Sequence, residues 1–62
     1  MTDHFQLDVQ SQRRLVYTAT TVEEREHYMN ELRRFEALAE LSRTDLAAAR
    51  RAYRPARAYE GN

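Results

Sequence analysis

No cysteine, lysine or tryptophan occurs in these 62 residues, and glycine and proline appear once each, as Gly61 and Pro55. Without cysteine there is neither a disulfide nor a thiolate metal site to staple a small fold. A single glycine at position 61 leaves no glycine-rich loop to cradle a phosphate and no residue that makes a tight primed turn easy. No run approaches the ~20 apolar residues of a membrane-spanning helix. The start, Met1-Thr2-Asp3-His4, lacks the basic and apolar blocks of a secretory leader, so no membrane association is expected. With 42% hydrophobic and 32% charged residues the composition is that of a folding chain. Below ~70–80 residues and without a staple, association is the usual remaining source of stability. The expectation is an oligomer or a subunit of something larger, not an enzyme.

The formal charge is zero, but it is unevenly spread. Residues 22–42 carry six glutamates against Arg25, Arg33 and Arg34, a net of −3, whereas residues 43–57 carry five arginines against Asp45, a net of +4. An acidic middle and a basic end can pair head-to-tail with a second copy, and such contacts close into rings when the rotation permits. All ten basic residues are arginine, whose planar, multi-donor group suits interfaces and phosphates.

Residues 4–10 alternate, with Phe5, Leu7 and Val9 against His4, Gln6, Asp8 and Gln10, and Arg14 to Thr20 alternates again. This period of two predicts two strands joined at Ser11-Gln12-Arg13, with Val9 opposite Leu15, Leu7 opposite Tyr17 and Phe5 opposite Ala19. Thr21-Val22-Glu23-Glu24 then reads as a capping box opening a helix, whose apolar stripe is Val22, Met29, Leu32, Phe35 and Ala39, bordered by Tyr28. Leu38 and Leu41 lie off that stripe and predict a second contact surface. At Ser42-Arg43-Thr44-Asp45 two readings stand. Ser42 or Thr44 with Asp45 can cap a new helix, but Tyr28, Leu32, Phe35, Ala39, Ser42, Leu46, Ala49 and Tyr53 also form an unbroken heptad seam. The expected fold is therefore α+β: an N-terminal β-hairpin followed by two antiparallel helices, or by one long helix. Residues 1–54 form one small domain, and Pro55 opens a C-terminal tail, 55–62. The expected core is Phe5, Leu7, Val9, Leu15, Tyr17, Val22, Met29, Leu32, Phe35, Leu38, Leu46 and Ala49.

His4 and His27, helped only by Asp3 or Asp8, do not make the three- or four-ligand set a metal requires. Glu23, Glu24, Glu26 and Glu31 suit the positive end of a helix dipole better than acid–base work, which needs desolvated carboxylates with separated pKa values. No cofactor, metal, small-molecule or catalytic site is expected. The candidate contact residues are Arg43, Arg50, Arg51, Arg54 and Arg57 as charge partners, with Tyr53 and Tyr59 as aromatic anchors, since arginine and tyrosine are enriched at interfaces. The same arginines can track a phosphate backbone, although zero net charge is unusual for a free-standing nucleic-acid binder.

Residues 13–32, Arg-Arg-Leu-Val-Tyr-Thr-Ala-Thr-Thr-Val-Glu-Glu followed by Tyr28, Met29, Glu31 and Leu32, resemble a segment of the phage lambda head–tail joining protein W family. There a hairpin strand runs through a Thr-Ala-Thr stretch into a helix. Asp45-Leu46-Ala47-Ala48-Ala49-Arg50 resembles that family's first helix in permuted order. In the other alignment, Arg50 to Tyr59 matches the family's basic, aromatic C-terminal tail. The resemblance implies a virion neck subunit, present in the host cytoplasm during assembly. It would form a homo-oligomeric ring at the portal vertex, dock portal and neck proteins and lie close to packaged DNA. Two other expectations come from the residues themselves: a small inhibitor or regulator of one host protein, and a nucleic-acid binder acting through the arginine ridge.

Overall fold

Over the described residues, 4–60, the computed structural model holds three helices and no strand: α1 (His4–Thr18), α2 (Val22–Thr44) and α3 (Leu46–Ala52). An irregular strap, residues 53–60, follows α3. Asp3 and Gly61 lie outside the described residues. The expected α+β class is corrected on this point. Neither a hairpin with two antiparallel helices nor a hairpin with one long helix describes the chain, because residues 4–18 are helical.

The helix wins for reasons present in the same residues. Phe5, Val9, Gln12 and Val16 recur at steps of four, three and four, which is one face of a helix. Phe5, Val9 and Gln12 are buried and Val16 is half-buried. The alternation of Phe5, Leu7 and Val9 shares two residues with that face, and the glutamine at position 12 interrupts its apolar signal. Gln10, Gln12, Arg13, Arg14 and Leu15 are good helix formers, no glycine is available to turn a hairpin at residues 11–13, and an isolated two-stranded hairpin is marginal in water. Changing the period changes the faces. Leu7, Leu15 and Tyr17, expected inside, are exposed, as are Val22 and Leu46. Within the segment that resembles the head–tail joining family, the Thr-Ala-Thr stretch closes α1 instead of extending a strand: the Thr18 hydroxyl donates to the Arg14 carbonyl at 3.2 Å.

Three residues, 19–21, connect α1 to α2. Thr21 caps α2 in an extended conformation, its hydroxyl accepting from the Glu24 N–H at 3.0 Å. The Glu24 carboxylate reaches back to the N–H of Thr20 at 3.1 Å, one residue before the cap. The short connection turns the chain back on itself, so α1 and α2 run antiparallel. Arg13 pairs with Glu36 at 3.7 Å, and Gln6 and Val9 share a groove with Ala39 and Arg43.

Asp45 separates α2 from α3. Its own N–H donates to the Leu41 carbonyl at 2.7 Å, ending α2, while its carboxylate accepts from the Ala48 N–H at 3.0 Å, starting α3. Ser42 and Thr44 hydroxyls donate back to the carbonyls of Ala39 and Leu41, which weakens the case for continuing the helix. The buried apolar cluster is Phe5, Val9, Phe35, Leu38, Ala39 and Ala49, with Leu32, Leu41 and Tyr53 packed at its edge. α3 covers the Leu38 and Leu41 side of α2, the second surface expected from the sequence. The molecule measures 37 × 21 × 13 Å. α2 packs against both α1 and α3, and Tyr53, directly after α3, also meets His4 and Phe5 of α1.

Candidate functional site

The strap begins where the helix can no longer continue. Pro55 has no N–H and restricts Arg54 before it, and α3 stops at Ala52 with Tyr53 extended behind it. From there the chain runs back along α2 towards that helix's N-terminus. Having no internal ladder, its carbonyls need donors, and α2 supplies them. The Arg34 guanidinium donates to the carbonyls of Arg54 at 3.0 Å and Pro55 at 3.3 Å. Its third contact is the Glu31 carboxylate at 2.6 Å, and it lies 4.5 Å from the centre of the Phe35 ring. Further along, His27 Nε2 is 2.7 Å from the Arg57 carbonyl. A carbonyl only accepts, so Nε2 carries the proton. The Tyr59 N–H donates to the Tyr28 hydroxyl at 3.3 Å, and the Tyr59 and His27 rings are 5.7 Å apart. His27, Glu31, Arg57, Ala58, Tyr59 and Glu60 surround an open groove of about 520 Å³.

The seven candidate contact residues fall into two groups. Tyr53 and Tyr59 point back into the molecule. The Tyr53 ring lies 5.0 Å from His4, 5.9 Å from Phe5 and 6.1 Å from Phe35, closing α1, α2 and the strap around one aromatic cluster. Burial is the main reason its hydroxyl pKa is raised from the ordinary tyrosine value. The negative Asp8 carboxylate adds to the shift, and Arg34 opposes it. The arginines point away. Arg43 pairs with the exposed Glu40 at 3.7 Å. The guanidinium groups of Arg50, Arg51, Arg54 and Arg57 have no ion pair or hydrogen bond among the described residues, and all four residues are exposed.

The sequence reading missed the groups that hold the strap: His27, Tyr28, Glu31 and Arg34. It considered the arginines as charge partners of a neighbouring molecule; within the molecule Arg34 and His27 donate to strap carbonyls, and the strap's Tyr59 N–H donates to Tyr28. One signal was present. His27, Glu31, Arg34 and Leu38 recur at steps of four, three and four, a second stripe on α2 beside the apolar one. Among the described residues no three or more His, Asp or Glu side chains are grouped to hold a metal ion. Comparison with known protein families, curated proteins and solved structures finds no match.

Proposed function

We propose that this chain is a non-catalytic association subunit, a thin helical element that works by docking on protein surfaces, those of its own copies first. The supporting observation is the division of its apolar residues. Six are buried, two of them alanine, while Leu7, Leu15, Tyr17, Val22 and Leu46 remain exposed by 37% to 83%. None of these five side chains belongs to the buried cluster among the described residues. Burying apolar surface stabilises by about 25 cal/mol per Å², so a surface of this kind gains by pairing. The ring at a phage portal vertex implied by the sequence resemblance is one form of this reading, now without the hairpin on which that family's fold is built.

The test is sedimentation of the purified chain over a wide concentration range. Species that grow with concentration support the proposal, and a monomer at every concentration overturns it. A second reading has its own observation, the four unpaired guanidinium groups of Arg50, Arg51, Arg54 and Arg57. Nucleic-acid binding through them would weaken steeply with salt and fall further on Arg50→Ala and Arg54→Ala. Failure to shift DNA or RNA at low salt removes that reading.

A further inference from the structure

Between Val22 and Ala52 the chain is helical at every residue except Asp45. There the backbone reverses within one residue, at φ −150° and ψ 83°, and lays α3 against α2. Bonds of helical spacing adjoin the reversal on both sides, from the Asp45 N–H to the Leu41 carbonyl and from the Ala49 N–H to the Asp45 carbonyl. The contacts of the reversed arm are symmetric in sequence about Thr44. Phe35 meets Tyr53, and Arg34 meets the carbonyl of Arg54, each pair standing equally far from residue 44. The heptad seam has the same centre: Ala39 mirrors Ala49, and Ser42 mirrors Leu46. Every member of that seam is buried or half-buried except Leu46, beside the reversal, which is 45% exposed.

We infer that this arm, α3 with the strap, exchanges between two copies of the chain and docks on the second copy's α2 at the residues it holds in its own. This rests on the association reading above and names the surface used. A seam that mirrors itself about Thr44 pairs with its own reverse, as a two-fold interface requires. With Asp45 helical, α2 and α3 become one helix from Val22 to Ala52. Two such helices crossing antiparallel at Thr44 set Phe35 against the second copy's Tyr53, and Arg34 against its Arg54 carbonyl. The arm's contacts are the same in the closed chain and in the pair, so they cancel, and the hinge decides the balance. Straightening Asp45 forfeits its carboxylate cap on the Ala48 N–H, which is 3.0 Å away in the closed chain. In return the N–H groups of Leu46, Ala47 and Ala48 come over the carbonyls of Ser42, Arg43 and Thr44. Leu46 also comes opposite the second copy's Ser42, on both sides of the axis, and the one exposed seam residue is covered. Opposing these gains is the lost free motion of one molecule. Hinges this short invite exchange.

The wild-type chain supplies the first test. Isotope-labelled and unlabelled copies are unfolded together, refolded at about 1 mM and read by isotope-filtered NMR. Nuclear Overhauser peaks between Phe35 of one copy and Tyr53 of another are expected, because these rings lie 6.1 Å apart in the closed chain. A dimer without such peaks overturns the exchange and leaves self-association standing, whereas a monomer at that concentration overturns both. The hinge supplies the second test. Asp45→Ala removes the cap that only the closed chain uses and installs the best helix former, so dimerisation should strengthen about tenfold. A short glycine–serine insert after Asp45 lets the arm fold back without the one-residue reversal. It should keep the helical circular dichroism and weaken dimerisation about tenfold or more. A dimer indifferent to both changes, or shifted in the opposite directions, overturns the exchange.

Discussion

α2 is held on its two flanks by different interactions. Towards α1 the contact is apolar, with Phe5 and Val9 against Phe35 and Ala39, and among the described residues the one ion pair across it is the exposed Arg13–Glu36. Towards the strap the contact is directional: Arg34, His27 and Tyr28 engage the backbone of residues 54, 55, 57 and 59. Apolar burial is spread over area and tolerates changes of shape, whereas a few charge-assisted hydrogen bonds fail when one group is removed. The first flank makes the fold, and the second attaches an arm to it. Tyr53 and Phe35 belong to both, and there the two flanks are expected to fail together.

The largest expected effect follows from that junction. Phe35 is fully buried, and Phe35→Ala should cost ~3–5 kcal/mol. A chain of this length has a total stability of ~3–9 kcal/mol, so most of the helical signal should be lost near room temperature. A variant with an unchanged melting curve would break the assignment of Phe35 to both flanks. Arg34→Met comes next and separates the flanks. It should cost ~1–3 kcal/mol by removing charge-assisted bonds to the strap. Amide exchange should accelerate in residues 53–60 while α1 and the first half of α2 stay protected. Equal acceleration in α1 would show that the flanks are not independent.

A smaller change of opposite sign sharpens the apolar side. The Gln12 amide oxygen is buried against α2 without a hydrogen-bond partner among the described residues. Gln12→Leu removes that unsatisfied group and should raise stability by ~1 kcal/mol in chemical denaturation. A loss instead would mean that the glutamine is satisfied and part of the packing. The smallest effect concerns pH. The Tyr53 pKa is raised in the folded chain, so the folded state holds this proton more tightly than the unfolded one. That contribution is complete below the unfolded value near 10 and declines as pH rises through the folded value. Wild type should lose stability above about pH 10 more steeply than Tyr53→Phe, and parallel alkaline curves would contradict the raised value.

The start of α2 and the break after it were legible because each depends on neighbours in the chain. Thr21 needs only the Glu24 amide, and Asp45 needs only Leu41 behind it and Ala48 ahead. The N-terminal helix was not legible, because Phe5 and Val9 satisfy both a period of two and a step of four, and Gln12 occupies a position where an apolar residue would have decided the matter. Arg43, Arg50, Arg51, Arg54 and Arg57 are exposed, Tyr53 and Tyr59 turn inward, and the strap is held by His27, Tyr28 and Arg34 of the acidic helix. Their use depends on which face of α2 the strap crosses, and no local spacing encodes that.

What the chain alone determined is local: where helices are capped, where Pro55 forbids one, and the segregation of glutamate and arginine along its length. The choice of helix over strand at residues 4–18, the inward turn of Tyr53 and Tyr59 and the exposure of Leu7 and Leu15 were decided only when α1, α2 and the strap packed together. Capping is a matter of bonds within a few residues. Choosing a buried face requires a partner surface, and that surface exists only in the folded molecule.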